Sequence, residues 1–240
     1  MKKDTPEPPN QVGSPIASDA VPLKQACVLA AREVIAQQGC AALSLRDVAR
    51  KLGVSHQAPY RHYPSRDDLI AEVLRQCFAE FALALAERAP HQDPQDELGS
   101  LGDAYLSYAQ AHPVEYALMF TDPWPQAAQH PDMAQAAKIA FDELRGVLSR
   151  VYANVPAAWQ SAWVERDALC IWAVMHGLAS ITRLDAQVAL GLAPAAQLRA
   201  HVFGMIERSM AAAMTSTIPP ALESPSTDTL LHAKPEGAGS

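Results

Sequence analysis

A chain of 240 residues and 25.8 kDa, 49% hydrophobic and 19% charged, is long enough for one large domain or two small ones with a real core. With 19 Lys and Arg against 26 Asp and Glu, its formal charge of −7 argues against a general nucleic-acid binder. The uncharged run between Asp167 and Arg183 includes His176 and Thr182 and is too short and polar to span a bilayer.

The chain begins Met1-Lys2-Lys3-Asp4-Thr5-Pro6-Glu7, without the apolar run of a secretory signal. Its four cysteines, Cys27, Cys40, Cys77 and Cys170, have neither metal-ligand spacing nor the density of a disulfide framework. A reduced, cytoplasmic protein is expected. Nine of the nineteen prolines fall in residues 1–22 and 216–240, which are also poor in large apolar groups, so both ends are expected to be disordered tails.

Between the tails the hydrophobic period is 3.6 almost throughout, and no period-2 run of β-branched residues appears, so the fold is expected to be all-α. The first helix is predicted from Leu23 to Gln38, stopped by Gly39 in a left-handed cap. A second opens at Ser44, with Asp47 as the reciprocal acid of a capping box, and ends at Gly53. Ser55 is expected to cap a third short helix that Pro64-Ser65 breaks. A long fourth helix follows from about Arg66 to Arg88. Further helices are predicted near 95–112, 114–121, 132–153, 160–185 and 194–214.

Charge is unevenly shared. Residues 23–62 carry six basic and two acidic groups, a balance of +4, whereas residues 90–215 carry seven basic and thirteen acidic groups, a balance of −6. Such a split is expected where only the front of a chain meets phosphate. The segment Ser44-Leu45-Arg46-Asp47-Val48-Ala49-Arg50-Lys51-Leu52-Gly53-Val54-Ser55 reads as helix, tight turn, helix: Val48 and Leu52 face a core, Ala49 permits a close crossing and Val54 fills the angle. In a helix-turn-helix the second helix lies in the major groove, where its first side chains reach base edges.

On these residues, residues 23–89 resemble the DNA-binding domain of the TetR/AcrR family of one-component transcriptional regulators. Gly39, Ser44-Leu45-Arg46-Asp47-Val48-Ala49 and Gly53-Val54-Ser55 carry the likeness, as does Tyr60-Arg61-His62-Tyr63-Pro64-Ser65-Arg66-Asp67-Asp68-Leu69-Ile70, with its aromatic-basic-His-aromatic and Ser-basic-acid-x-Leu pattern. The chain departs at Ala58-Pro59, where the family more often has Thr-Leu. Pro59, the fourth residue past Ser55, is expected to remove only the first intrahelical bond.

By residue type, His56 and Gln57 are candidates for base readout, glutamine being able to bond adenine bidentately. Arg46 is a candidate for guanine or phosphate, and Tyr60 for phosphate. The resemblance implies that His62 and Arg66 hold phosphate, Arg66 near a helix N-terminus that also favours an anion. Ser44 and Ser55 are candidate phosphate donors that fit equally well as plain caps. Tyr63 reads as core. The resemblance implies a homeodomain-like helix-turn-helix domain over 23–66 and a helical effector-binding and dimerisation domain over 67–215. It also implies a homodimer on a palindrome-like operator, its reading heads one DNA turn apart.

In the acidic body, Trp163, Ile171, Trp172, Met175, Leu178, Ala179 and Thr182 mark one long helix, and Leu198, Val202, Met205 and Ser209 another. The resemblance implies that this last pair forms a four-helix dimer interface, with Ala173, Gly177, Ala179 and Gly204 allowing close approach. Trp172-Ala173-Val174-Met175-His176-Gly177 resembles a Trp-His-Gly motif found in one variety of C-terminal domain in the family. Tyr105, Tyr108, Met119, Phe120, Trp124, Phe141, Trp172, Met175 and His176 are candidates to line a cavity for a small apolar or aromatic effector, although an aromatic and Met stripe equally suits ordinary core.

No Walker loop, dinucleotide fingerprint or Gly-x-Ser-x-Gly elbow appears, and no two histidines lie three or four apart, so no cofactor and no metal are expected. The expectation is a ligand-responsive regulator, a repressor whose effector tilts the long fourth helix and spreads the two reading heads. The alternative is a helical enzyme or adaptor without specific DNA binding.

Overall fold

The computed structural model describes residues 21–89, 91–183, 191 and 194–215, so the expected tails lie outside the described residues apart from their inner edges. Among the described residues there are eight α-helices and no strand: α1 (Leu23–Gln38), α2 (Leu45–Leu52), α3 (Arg66–Ala86), α4 (Pro94–Ala111), α5 (Pro113–Phe120), α6 (Pro131–Val151), α7 (Ala157–Arg183) and α8 (Ala195–Thr215). Two compact units divide between Leu69 and Ile70, so α3 begins in the first and continues in the second.

In the first unit α1 and α2 cross over a core of Val28, Ala31, Leu43, Val48 and Ala49, all nearly or fully buried. Ala49 has no accessible surface, as a close crossing requires. Gly39 ends α1 with φ 82° and ψ 161°, and its N–H still reaches the Ile35 carbonyl at 2.8 Å. This is not the left-handed helical cap expected of it but a more extended conformation that is essentially reserved for glycine. At Gly53 the backbone is left-handed as expected, φ 66° and ψ 25°. Its N–H bonds the Arg50 carbonyl at 3.2 Å and the Val54 N–H bonds the Ala49 carbonyl at 3.1 Å, the paired closure of a Schellman motif.

The third helix is a correction. Residues 56–58 form a turn and Pro59–Arg61 a single 3-10 turn, so no α-helix follows Ser55, whose hydroxyl makes no cap. Ala58 bonds back to Ser55 at 3.0 Å, Arg61 to Ala58 at 3.3 Å and His62 to Pro59 at 2.9 Å, all three-residue steps. Pro59 has no N–H to give Ser55, and its ring excludes the carbonyl four residues back. Over so short a segment that lost bond leaves the tighter turn as the lower-energy path.

Ser65 starts the next helix rather than merely breaking the previous one. Its hydroxyl accepts the Asp68 N–H at 3.2 Å and donates to the Asp68 carboxylate at 2.7 Å, which in turn accepts the Ser65 N–H at 2.8 Å. This reciprocal box fixes the first turn of α3.

In the second unit Pro94, Pro113 and Pro131 are the first residues of α4, α5 and α6, where the missing N–H would have no partner anyway, so each helix starts one residue before its predicted start. Helices α4, α6 and α7 pack mutually, and α8 rests on α7. Phe78, Phe81 and Leu85 of α3 are buried with Met119, Met133 and Leu148.

Just past α3, Arg88 is only 9% exposed and donates to the Leu85 carbonyl at 2.6 Å, to Glu143 at 2.9 Å and to Glu97 at 2.7 Å. Arg150 reaches the same Glu97 at 2.5 Å, and its hydrogen bond holds that carboxyl below its ordinary range. One buried guanidinium thus ties the end of α3 to α4 and α6.

Replacing Gly53 with Ala puts a Cβ on a left-handed residue. Nothing lies within 4 Å of that Cβ, so the cost is conformational alone. It is expected to be about 1–2 kcal/mol, read as a lowered midpoint in chemical denaturation followed by circular dichroism.

Candidate nucleic-acid interface and ligand cleft

The turn after Gly53 sorts its side chains sharply. Pro59 is buried and Ala58 half-buried, whereas His56, Gln57, Tyr60, Arg61 and His62 are all exposed. Tyr60, 46% exposed, is the one large aromatic ring that the first unit leaves in solvent. Next to it Tyr63 turns inward, 4% exposed, with its hydroxyl on the Lys24 carbonyl at 3.2 Å. The proline therefore anchors the turn, and five polar or amphipathic side chains stand clear of it.

Arg46 is exposed on the first turn of α2, and neither it nor Arg61 has a carboxylate partner among the described residues. Arg50 and Lys51 differ, being paired with Asp47 and Glu33, each at 2.7 Å. Arg61 is the cation that the sequence reading passed over. Its signal was available, since it lies two positions after Pro59 between two residues already singled out.

Ser44 acts as a cap: its hydroxyl accepts the Asp47 N–H at 3.1 Å and donates its proton to the Asp47 carboxylate at 2.5 Å. Arg66, expected on phosphate, is turned to another use. Its Nε donates to the Leu43 carbonyl at 3.0 Å and its Nη2 to the Cys40 carbonyl at 2.7 Å, leaving Nη1 at 3.6 Å from Asp67. Ser55 is exposed at the start of the reading turn.

In the second unit the expected aromatic group converges. Phe120 stands edge-on or tilted to Phe81, Trp172 and His176, and Phe141 meets Trp172 edge-on at 5.0 Å. Tyr105 and Tyr116 share a hydroxyl contact at 2.8 Å, and both hydroxyls meet His176 Nδ1, Tyr116 at 3.1 Å. Burial pushes the His176 pKa down to about 4 and raises that of Tyr105. A neutral imidazole accepting at Nδ1 satisfies a chain in which Tyr116 donates to Tyr105 and Tyr105 to His176.

A cleft runs beside this cluster between α4, α7 and α8. Of the nine candidates, Tyr105, Trp172 and Met175 line it. Met119 is fully buried, Tyr108 is buried on Phe81 with its hydroxyl at 3.4 Å from the Cys77 carbonyl, and Trp124 is 41% exposed with its indole N–H on the Met119 carbonyl at 2.7 Å. The rest of the wall was missed: Leu98 and Gly102 of α4, and Phe203, Ile206, Glu207 and Met210 of α8. The sequence assigns α8 to dimer contact through Leu198, Val202, Met205 and Ser209, with plain core as the alternative, and its inward face is at 203, 206 and 210. The cleft measures about 50 Å³, space for a few waters.

The outward face of α7 is apolar: Leu169 is 66% exposed, and Cys170, Ala173, Val174, Gly177 and Ile181 follow at helical spacing. On α8 Met205 is 50% exposed. Trp163, Ile171, Met175, Leu178 and Ala179, grouped with the interface helix in the sequence, point inward instead. Among the described residues no helix is long and apolar enough to cross a membrane.

Residues 28–73 match bacterial regulatory proteins of the tetR family, and residues 98–202 match the tetracyclin repressor-like C-terminal domain. Over 105 residues the chain is 30% identical to the HTH-type transcriptional regulator Rv1816 of Mycobacterium tuberculosis (strain ATCC 25618 / H37Rv), which is 42% of this chain and 44% of that protein. The chain thus spans less than half the length of the curated relatives it matches.

Among solved structures, a protein with unknown function from Rhodococcus sp. RHA1 superposes with a TM-score of 0.64 at 25% identity, over 81% of this chain and 98% of that one. A bacterial regulatory protein in the tetR family from Rhodococcus RHA1 gives 0.56 at 19% identity over 78% and 96%. The multidrug binding protein EbrR, complexed with imidazole, gives 0.53 at 22% over 77% and 89%. At these last two identities the likeness is one of fold. With a family match on each of its two units and the helical architecture that those matches require, this chain belongs to the TetR family of bacterial regulatory proteins.

Proposed function

We propose that the chain is a DNA-binding transcriptional regulator of the cytoplasm, a homodimeric repressor that leaves a palindrome-like operator when a small molecule enters its second unit. The observation that carries the reading is the exposed row His56, Gln57, Tyr60, Arg61 and His62, held out by a buried Pro59 on a unit of positive charge. Gln57 and His56 are assigned to base edges, Tyr60, Arg61 and His62 to phosphate, and Arg46 to guanine or phosphate. Ser44 and Arg66 support the surface from behind, as cap and as clamp. Ser55, at the head of the turn, is assigned to phosphate.

Dimerisation is assigned to the apolar outward face of α7 with Met205 of α8, which resembles the core of an interface. The effector is assigned to the cleft beside Tyr105, Trp172 and Met175, with the Phe120, Phe141 and His176 cluster behind it. Tyr108, Met119 and Trp124 serve the core around it. EbrR, a neighbour in fold, is a multidrug binding protein, and that supports a ligand in this unit here. An effector acts only by preferring one spacing of the two reading heads, and α3, continuous from Arg66 into the second unit, is the element through which it would tilt them.

Mobility shift with the DNA upstream of the protein's own gene tests the reading: a specific band is expected whose affinity falls steeply as salt rises. An enzyme or adaptor would give no such band. Gln57→Ala is expected to cost about 1–3 kcal/mol of discrimination at one base position, and Tyr60→Ala or Arg61→Ala to weaken all sequences alike. If Gln57→Ala leaves the sequence preference untouched, the readout assignment is wrong.

Pro59→Ala restores the missing N–H and is expected to extend an α-helix through residues 56–62, re-aiming Gln57. Its preferred sequence, read by selection from random duplexes, should change while the protein's stability does not fall.

The neutral His176 sets a pH dependence. Unfolded, the imidazole takes a proton near 6.5; folded, only near 4. Its contribution is therefore complete above about pH 6.5 and is lost as pH falls toward 4. Thermal midpoints measured from pH 7.5 to 5 are expected to drop, with a shallower drop for His176→Gln.

A further inference from the structure

The mouth of the cleft between α4, α7 and α8 is unlike its walls. Leu85, Leu98, Leu101, Leu144, Ile171 and Ile206 are apolar, and Tyr105, Trp172 and Phe203 present aromatic surface, but the rim carries Glu207 and Gln95, both exposed. Glu207 has no cationic partner among the described residues. Its chain neighbour Arg208 lies outside the lining, with Nη1 3.1 Å from where a Cβ on Gly204 would stand, and Arg199, farther along α8, bonds Asp103 and lies 5.0 Å over the Phe203 ring. Glu97 of α4 is likewise neutralised, by Arg88 and Arg150. The cleft therefore has one free charge, and it is negative, within a stretch whose balance over residues 90–215 is −6.

Phe203 decides how much room there is. It stands so close to Gly102 that a Cβ there would sit 2.7 Å from the ring. With about 50 Å³ open beside that ring, any ligand larger than a few waters has to displace Phe203, and a compact ring-bearing molecule displaces less of the wall than an extended lipid chain. Aromatic faces also attract a cation through their quadrupole.

We propose that the cleft binds a compact arylalkyl amine, its ring among Tyr105, Trp172 and Phe203 and its ammonium against Glu207 with Gln95 beside it. This rests on the reading of the second unit as the effector site. A carboxylate-bearing ligand of the same skeleton meets an unpaired Glu207 and no cation among the lining residues, so it is disfavoured; a neutral one gains only the apolar contact.

The test is calorimetric titration of the full-length protein at pH 7 with phenylbutylamine, phenylbutanol and phenylbutyrate, three molecules that share a skeleton and differ in charge. The amine is expected to bind most tightly and the acid least. Glu207→Gln is expected to weaken the amine by about fivefold, the scale of one exposed ion pair, and to leave phenylbutanol unchanged. Trp172→Ala should weaken all three.

Equal affinity for acid and amine, an unaltered amine affinity in Glu207→Gln, or failure of all three to bind overturns the proposal. Mobility shifts on the same preparations separate it from the broader reading. A specific DNA band with no binding of the three probes sinks the ligand class alone, and loss of the band sinks the regulator.

Discussion

A buried pyrrolidine holds up the surface proposed to read DNA. At Pro59 the chain loses the one N–H that would have closed an α-helical turn onto Ser55, and the segment settles into three-residue steps until Tyr63 bonds back four residues to Pro59. The ring then packs into the first unit beside a half-buried Ala58, while Gln57 and Tyr60 on either side face solvent. The same residue thus prevents a regular helix and fixes what replaces it. Gly53 delivers the chain to that point with a left-handed backbone that any side chain would strain, and the Ser65–Asp68 box receives it on the far side. Everything proposed about base readout depends on those three positions agreeing on one path.

The second unit depends on a different balance. Within its aromatic cluster the Tyr105 and Tyr116 hydroxyls and His176 Nδ1 bond one another. Such a closed set removes the penalty of burying polar groups and keeps the imidazole uncharged. The buried Arg88 is met by two facing carboxylates and a carbonyl, although its Nε, like that of Arg145 and the Trp163 indole nitrogen, is buried without a partner. The larger unmatched features lie outside: the apolar face of α7 and the lone carboxylate at the cleft.

The helices were legible because their signals are local. Gly39, Gly53, Ser44 and the 3.6 period each act within a few residues, and α1 runs from Leu23 to Gln38 as read. The first-turn prolines were legible as boundaries but displaced by a residue, because a proline can start a helix as well as end one. Pro59 was misread for a related reason. The lost hydrogen bond was counted, but over so few residues there were no further bonds to outweigh it.

The role of Arg66 was hidden because its partners are main-chain oxygens 23 and 26 residues away, which no side-chain pattern reports. The inward face of α8 was hidden differently. Apolar residues lie on both sides of that helix, so the 203-206-210 spacing names an inward face only once Phe203 is seen against Gly102.

The grip of Arg66 has a corollary for tolerance to mutation. Because the guanidinium holds the carbonyls of Cys40 and Leu43 and touches the Cys40 sulfur only at 3.8 Å, most of its hold is on the main chain, and another small residue at position 40 would cost it just that weak contact. Position 66 has no such latitude. Lysine offers one compact ammonium where two carbonyls in different directions must be spanned from a planar fork, so the exchange usually regarded as mild is here a loosening of the corner on which the reading turn is built.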